Sequence, residues 1–207
     1  MALQSNVLSP PFGYPVDGLP FSSGQYYGLF GGSSTATIIA AVDRIYFRPF
    51  ILASAITADR LAARVTTGQA TSAVKGAVYG TGRTNTGLYR PLSAPLGADN
   101  TGVATTTSNA NADCVVSVGL RPWTLYWYGL KFTTGGTLPT CVSTLTTSRD
   151  AEPYVGRTMP ASATGSGALT GIYYDQAYAT AFPTFDGSET FTEIAAAALP
   201  VAWLRAV

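Results

Sequence analysis

The chain has 207 residues, of which 46% are hydrophobic and 12% aromatic, enough for one domain with a sizeable core. Charged residues make up only 11%, well below the roughly 25% of average soluble proteins. A surface with so little charge suits a protein that buries much of its exterior against other subunits, and it also suits a secreted protein. The twelve basic residues are scattered rather than clustered, which argues against direct binding of nucleic acid.

The sequence contains no histidine. Histidine is the usual general base and the commonest metal ligand, so its absence argues against triad-type hydrolases and against a zinc site. Two carboxylate pairs, Asp150 with Glu152 and Asp186 with Glu189, offer the residue types that glycan hydrolysis needs. Carboxylates this close in sequence are more often turn formers. We therefore predict that the protein is not an enzyme and that it needs no cofactor.

The cysteines and the first residues bear on the compartment. Cys114 and Cys141 lie in strand-like surroundings, where a disulfide is possible and two buried thiols are the preferred reading. The first residues lack the basic start and apolar run of a signal peptide, and the apolar run within 36–42 is far too short to span a membrane. These features predict assembly in a cytoplasm, without membrane association.

Residues 1–32 are predicted to form an extended arm. Prolines alternate there with aromatic residues, and proline disfavours both helix and central strand. Such an arm either packs on its own domain or docks on a neighbouring subunit or another protein. The aromatic candidates for that contact are Phe12, Tyr14, Phe21, Tyr26 and Tyr27.

Residues 33–207 are predicted to form a single all-β domain. Strands are expected at 35–42, 45–52, 56–67, 73–79, 114–118, 120–132, 137–145 and 200–207, and extended chain at 88–96 and 169–185. Short strands separated by Gly and Pro turns indicate a β-sandwich, with a jelly roll as the best fit. Two prolines place 88–96 at a sheet edge, whereas 120–132 is apolar on both faces and is expected between two layers or in an oligomer interface, with 137–145 as its neighbour. The segment 192–199 also fits a helical turn or two.

The segment 45–67 reads as a pair of strands joined by a short turn, and it carries most of the arginines of the first third of the chain. Together with Arg44, which lies just before the segment, these arginines are predicted to line one sheet face: Arg44, Arg48, Arg60 and Arg64. Two aspartates, Asp43 and Asp59, are expected nearby. The arginines are either scattered surface residues or an inter-subunit network around a threefold axis. Under the second reading, Arg48, Arg60 and Arg64 contact the neighbouring subunit.

Three tyrosines, Tyr173, Tyr174 and Tyr178, form a second candidate group. Aromatic rings stack on sugars in glycan-binding sites, but they also fill cores and subunit interfaces, which is the commoner use. The tyrosines are therefore candidates for glycan contact only under a receptor-binding reading.

Several motifs occur in an order that resembles structural proteins of tailed bacteriophages. They are YYGLFGG at 26–32, DRIYFRPFIL and AITADRLAARVTTG within 43–68, AVKGAVYG at 73–80, LRPWTLYW at 120–127 and PVAWLR at 200–205. The matches cover about two thirds of the chain. The stretch 80–110 departs from the pattern, since GTGRTNTG stands where the family has a G-x-P-G segment, so no role is carried over to that loop.

The resemblance implies a jelly-roll domain that serves as a head decoration (cement) protein, a head spike or a tail-fibre module, typically trimeric. The expected function is that of a virion protein, assembled in the host cytoplasm, that binds the major capsid protein as a homotrimer and stabilises the outer capsid surface. The alternative is a receptor-binding spike or fibre module that recognises a host-surface glycan.

Overall fold

The computed structural model describes residues 21–29, 37–39, 41–83, 88–144, 169–195 and 199–207. Within them the chain forms strands and no helix. In chain order the strands are β1 (Tyr26–Gly28), β2 (Thr37–Ile39), β3 (Arg44–Ile51), β4 (Ile56–Thr67), β5 (Ala73–Arg83), β6 (Tyr89–Ala98), β7 (Val103–Ala104), β8 (Ala110–Leu120), β9 (Leu125–Thr133), β10 (Thr140–Val142), β11 (Leu169–Asp175), β12 (Thr192–Ala195) and β13 (Ala202–Ala206). The predicted all-β class is confirmed. The helical alternative is wrong at Thr192–Ala195, which pairs with β11.

The strands form two antiparallel sheets that pack as a β-sandwich, as the sequence predicted. The first sheet has the order β1-β13-β4-β10-β2, with β8 also paired to β4. The second has the order β12-β11-β3-β9-β5-β6, with β7 paired to β5. Strand β6 therefore lies at a sheet edge, where its two prolines lose no ladder hydrogen bond.

Two expected pairings are wrong. Strands β3 and β4 follow each other in sequence, but they belong to different sheets, so 45–67 crosses the sandwich and is not a hairpin. Arg48 and Arg60 consequently do not share one sheet face. Strand β10 pairs with β2 and β4 rather than with β9. Alternation along a strand shows which residues face a core, but it does not show which strand lies alongside.

The main core lies between the two sheets, and large side chains of the second sheet pack there against smaller ones of the first. Its members include Phe50, Tyr126, Tyr128, Leu130 and Phe132 on that sheet, and Leu61, Val65, Ala112, Cys114, Val116 and Leu204 on the first. Both cysteines are free and buried, which confirms the preferred reading of two thiols. Burial raises the pKa of Cys141 to about 12 and that of Cys114 further, so both stay protonated at neutral pH.

A second core lies on the opposite side of the second sheet. Residues 176–191, here called the covering segment, lay Phe182 and Phe185 over Phe47, Tyr79 and Trp127. The Phe47 and Phe185 rings are 5.8 Å apart and nearly perpendicular. The Tyr79 hydroxyl donates to the Pro183 carbonyl at 2.9 Å. Strand β9 is thus buried on both faces because it lies between two layers, one of the two arrangements that its sequence predicted.

Asp99 joins the two sheets at the β8 edge. Its backbone N–H donates to the Gly76 carbonyl on β5 at 2.8 Å, and its Oδ2 accepts from the Val115 N–H on β8 at 2.9 Å. Its Oδ1 accepts from the backbone N–H groups of Thr101 and Gly102. Burial alone raises the pKa of this carboxyl, but the hydrogen bonds lower it overall below the ordinary 3.8.

The last part of the predicted arm belongs to the sandwich. Strand β1 pairs with β13, and Leu29 is fully buried. Phe21 packs edge-on against Tyr27 at 4.5 Å, and both contact the main core. Over these residues the chain packs on its own domain, so the sandwich begins before residue 33. Residues 1–20, with Phe12 and Tyr14, lie outside the described residues.

Candidate interaction surface

The outward side of the first sheet carries large polar and aromatic side chains. Along β8 every second residue is buried, from Ala112 to Leu120, while the residues between them point outward. The resulting surface, here called the outer face, comprises Tyr26, Arg60, Arg64, Asn111, Asp113, Val115, Trp203 and Arg205. None of these side chains is buried within the described part of the chain, and Val115 is 55% exposed. The second sheet differs, because the covering segment buries its outward side.

An ion network lies at the middle of the outer face. Arg205 on β13 binds Asp59 on β4 through two nitrogens, with Nε 2.9 Å from Oδ1 and Nη2 bonded to Oδ2. Arg60 adds a contact of 3.4 Å from its Nη1 to the same carboxylate. The Arg205 hydrogen bond is the main cause that lowers the pKa of Asp59. Asp59 is the extra residue of β4 relative to β13, so a bulge places its side chain beside Arg205.

Two further pairs extend the network to both sides. The Tyr26 hydroxyl donates to Asp113 Oδ2 at 2.8 Å, which links β1 to β8 across the face. Arg64 Nη1 donates to Asn111 Oδ1 at 3.2 Å. Hydrogen bonds and ion pairs as exposed as these add little to stability. Their fixed geometry matters more, because a preordered polar face loses little side-chain entropy when a partner covers it.

The structure brings together three of the predicted interface residues, Tyr26, Arg60 and Arg64, on the outer face. It removes Arg48 from any such surface. Arg48 lies on β3 in the second sheet and is 1% exposed, so its side chain is inaccessible to a partner. Phe21 and Tyr27 face the main core instead of the outer face.

The three candidate tyrosines do not form one platform. Tyr173 and Tyr174 are successive residues of β11 and therefore point to opposite sides. Tyr173 packs beside the main core with the Arg44 guanidinium 3.7 Å above its ring, whereas Tyr174 contacts Phe185 in the second core. Tyr178 lies in the covering segment, with the Lys75 ammonium 4.5 Å from its ring. Their proposed contact with glycans stays a prediction.

The carboxylate pair that the structure describes serves a turn. Glu189 accepts hydrogen bonds from the backbone N–H groups of Asp186 and Gly187, both at 3.0 Å. Asp186 Oδ1 accepts from the Ser188 N–H at 2.8 Å. Both carboxylates thus accept hydrogen bonds from the backbone of a turn, the role that their close spacing in the sequence indicated. Asp150 and Glu152 lie outside the described residues, and within those residues no group of three or more Cys, Asp or Glu could hold a metal ion.

Sequence reasoning missed three features. Lys75 and Lys131, the sheet-joining Asp99, and the exposed Trp123 were not singled out, because a single charged or aromatic residue in a strand pattern carries no partner information. For Trp123 a signal existed. Pro122 breaks the predicted strand 120–132 and marks the turn on which the tryptophan lies.

In the described residues no helix is long and apolar enough to cross a membrane.

Comparison with known proteins adds no family to this description. No protein-family model matches the chain, and no curated protein is significantly similar to it.

Proposed function

We propose that the protein is a structural protein of a tailed-bacteriophage virion, a decoration protein that binds the major capsid protein on the outer capsid surface as a homotrimer. The ordered series of motifs that resembles phage head and tail proteins supports this proposal, and the β-sandwich fold is compatible with it. A jelly-roll strand order is part of the same proposal. The role is mechanical: apolar and aromatic area buried between capsid subunits resists their separation under the pressure of packaged DNA.

The outer face of the first sheet is the observation that carries the proposal. It is polar, carries both signs of charge and is held in place by the Asp59–Arg205 pair. In a cyclic trimer one edge of such a face meets the opposite edge of the next copy, so a face with arginines and carboxylates side by side can be complementary to itself. Tyrosine, tryptophan and arginine are also the residues enriched in protein interfaces.

The amino-terminal arm supplies the second contact in this proposal. In this proposal Phe12 and Tyr14 bind the neighbouring capsid subunit, whereas Tyr26 belongs to the outer face and contributes to the contact between copies of the chain. Deletion of residues 1–20 leaves β1 intact, so the shortened chain should fold and remain trimeric but no longer attach to heads. Attachment that equals that of the full chain would remove the arm from the mechanism.

Light scattering and co-sedimentation test the proposal together. The purified chain should have a mass near three times 21.5 kDa and should sediment with expanded heads that lack it. A monomer would contradict the trimer. Binding to host cells or to their glycans, without binding to heads, would show that the protein is a receptor-binding module instead.

A further inference from the structure

One end of the sandwich presents a tryptophan to solvent. Trp123 lies on the four-residue connection between β8 and β9 and is 72% exposed, more than any other large apolar side chain among the described residues. The other described tryptophans differ from it, since Trp127 is fully buried and Trp203 half-buried.

The backbone holds this ring in an unfavourable conformation. Trp123 has φ of +55°, in the left-handed region that bulky residues rarely adopt. Its N–H donates to the Leu52 carbonyl at the end of β3 at 2.8 Å. The Arg121 N–H donates to the buried Tyr126 hydroxyl at 2.9 Å, and the Thr124 hydroxyl donates to the Pro122 carbonyl. Hydrogen bonds thus fix the loop to the second sheet at two points, and backbone strain of this kind clusters at functional sites.

Two exposed arginines stand at this end of the sandwich. Arg121 stands two residues before the tryptophan and is exposed. The β5–β6 hairpin reaches the same end, because Thr81 bonds the Leu125 carbonyl, and it carries Arg83 beside the exposed Tyr89 ring. No carboxylate occurs in the described residues of these two connections or of the one between β3 and β4.

We propose that Trp123 is the anchor of a docking tip that inserts into an apolar pocket with an acidic rim on a partner protein. A rigid tryptophan flanked by arginine is the composition of an interface hot spot, and its fixed loop lowers the entropy lost on binding. The arginines select a partner surface rich in carboxylates. A lipid surface is a poorer fit, because a single ring and two arginines give only weak attachment to a bilayer.

This inference rests on the proposed function, which supplies the partner: the acidic surface belongs to the assembled head. The outer face is the outward side of the first sheet, whereas the docking tip lies at the end of the sandwich where β8 is connected to β9. A trimer formed through the outer face can therefore leave each tip free to point at the capsid.

The test compares binding of three chains to purified heads that lack this protein. Trp123→Ala should weaken binding by about 30-fold or more, the loss expected for a hot-spot residue. Leu96→Ala is the matched control, because Leu96 is also an exposed apolar residue, at 48%, but lies on edge strand β6. The control should bind like the natural chain, and both variants should keep the natural thermal midpoint.

Charge reversal gives a second readout. Arg121→Glu should slow association at low salt and make it less dependent on salt.

Two results overturn the inference and are distinguishable. If the natural chain binds heads and Trp123→Ala binds equally well, the docking tip is wrong while the proposed function stands. If the natural chain does not bind heads, the proposed function fails and the tip falls with it. Binding through Trp123 to host lipopolysaccharide, or to vesicles of phosphatidylcholine and phosphatidylglycerol, in place of heads would likewise overturn the inference.

Discussion

Lys75 and Lys131, the only lysines of the chain, are paired directly across β5 and β9 on the outward side of the second sheet. Both are buried, at 5% and 0% exposure. Lys131 Nζ donates to Gln176 Oε1 at 2.8 Å and to the carbonyls of Ala177 and Thr180. Lys75 Nζ donates to the Tyr178 carbonyl at 2.9 Å. The two ammonium groups therefore tie the covering segment to the sheet beneath it.

Burial of both lysines predicts resistance to amine reagents. In the native protein, acetylation of Lys75 and Lys131 should be slower than in the urea-unfolded chain by about 100-fold or more, because the covering segment must first open. Peptide mass spectrometry measures both rates. Equal rates in the two states would mean that the covering segment does not shield the lysines.

Removal of one ammonium should destabilise the fold. Lys131→Met removes the hydrogen bonds that the ammonium donates to Gln176, Ala177 and Thr180, and the expected loss is about 1–3 kcal/mol in the free energy of unfolding. Urea denaturation measures it. Arg121→Met, at an exposed arginine outside the outer face, is the control and should change stability by less than about 0.5 kcal/mol. A Lys131→Met chain as stable as the control would show that the ammonium contacts add nothing.

The same lysine should make stability depend on pH. Burial, with a further contribution from the neighbouring Lys75, lowers the pKa of Lys131 from 10.5 to about 8, against the opposing effect of Asp43. Above pH 8 the native chain loses this proton while the unfolded chain keeps it, so the free energy of unfolding rises with pH. The buried thiols act in the opposite direction above pH 9, and Tyr178 above pH 10, because burial raises their pKa.

The comparison with Lys131→Met cancels these other groups. Its stability deficit relative to the natural chain should grow between pH 8 and pH 10, as measured by urea denaturation at several pH values. A constant deficit would mean that Lys131 titrates near its ordinary pKa.

Asp99 should be sensitive to loss of its charge. Asp99→Asn replaces one acceptor oxygen by an amide NH2 group, so at least one part-buried backbone N–H among those of Val115, Thr101 and Gly102 loses its acceptor. The expected loss at pH 7 is about 1–3 kcal/mol. It should shrink below pH 4, where protonation of the natural carboxyl removes the stabilising charge. Asp175→Asn, at a carboxylate that is 69% exposed, should be close to neutral, and an equal loss there would contradict the role of Asp99.

The packing of β11 against β3 can be tested by substitution of Gly171 on β11, with Gly119 on β8 as the control. A Cβ atom at Gly171 would lie 2.5 Å from the Phe47 carbonyl oxygen, whereas one at Gly119 would meet nothing within 4 Å. Gly171→Ala should therefore cost about 1–3 kcal/mol or more through overpacking, and Gly119→Ala should be neutral or slightly stabilising. Thermal unfolding of both variants decides this, and a neutral Gly171→Ala would contradict the close approach of β11 to β3.

The sequence predicted the parts of this fold that depend on local pattern. The span 56–67 matches β4 to the residue, because alternating residues bounded by turns define a strand without reference to its partner. The pairing of strands was not predictable, since β3 and β4 are neighbours in sequence but lie in opposite sheets. Arg48 shares its side of β3 with Tyr46 and Phe50 and so faces the main core, whereas Lys131 lies beneath 176–191. Nothing local to either residue indicates which layer covers it.

Cryo-electron microscopy of the virion tests the central claim most directly. A decoration protein predicts density on the outer surface of the head that fits three copies of the β-sandwich around a threefold axis, with the outer faces in mutual contact and the Trp123 ends against the capsid. Heads without such density, in virions that carry the chain only at the tail, would contradict the account.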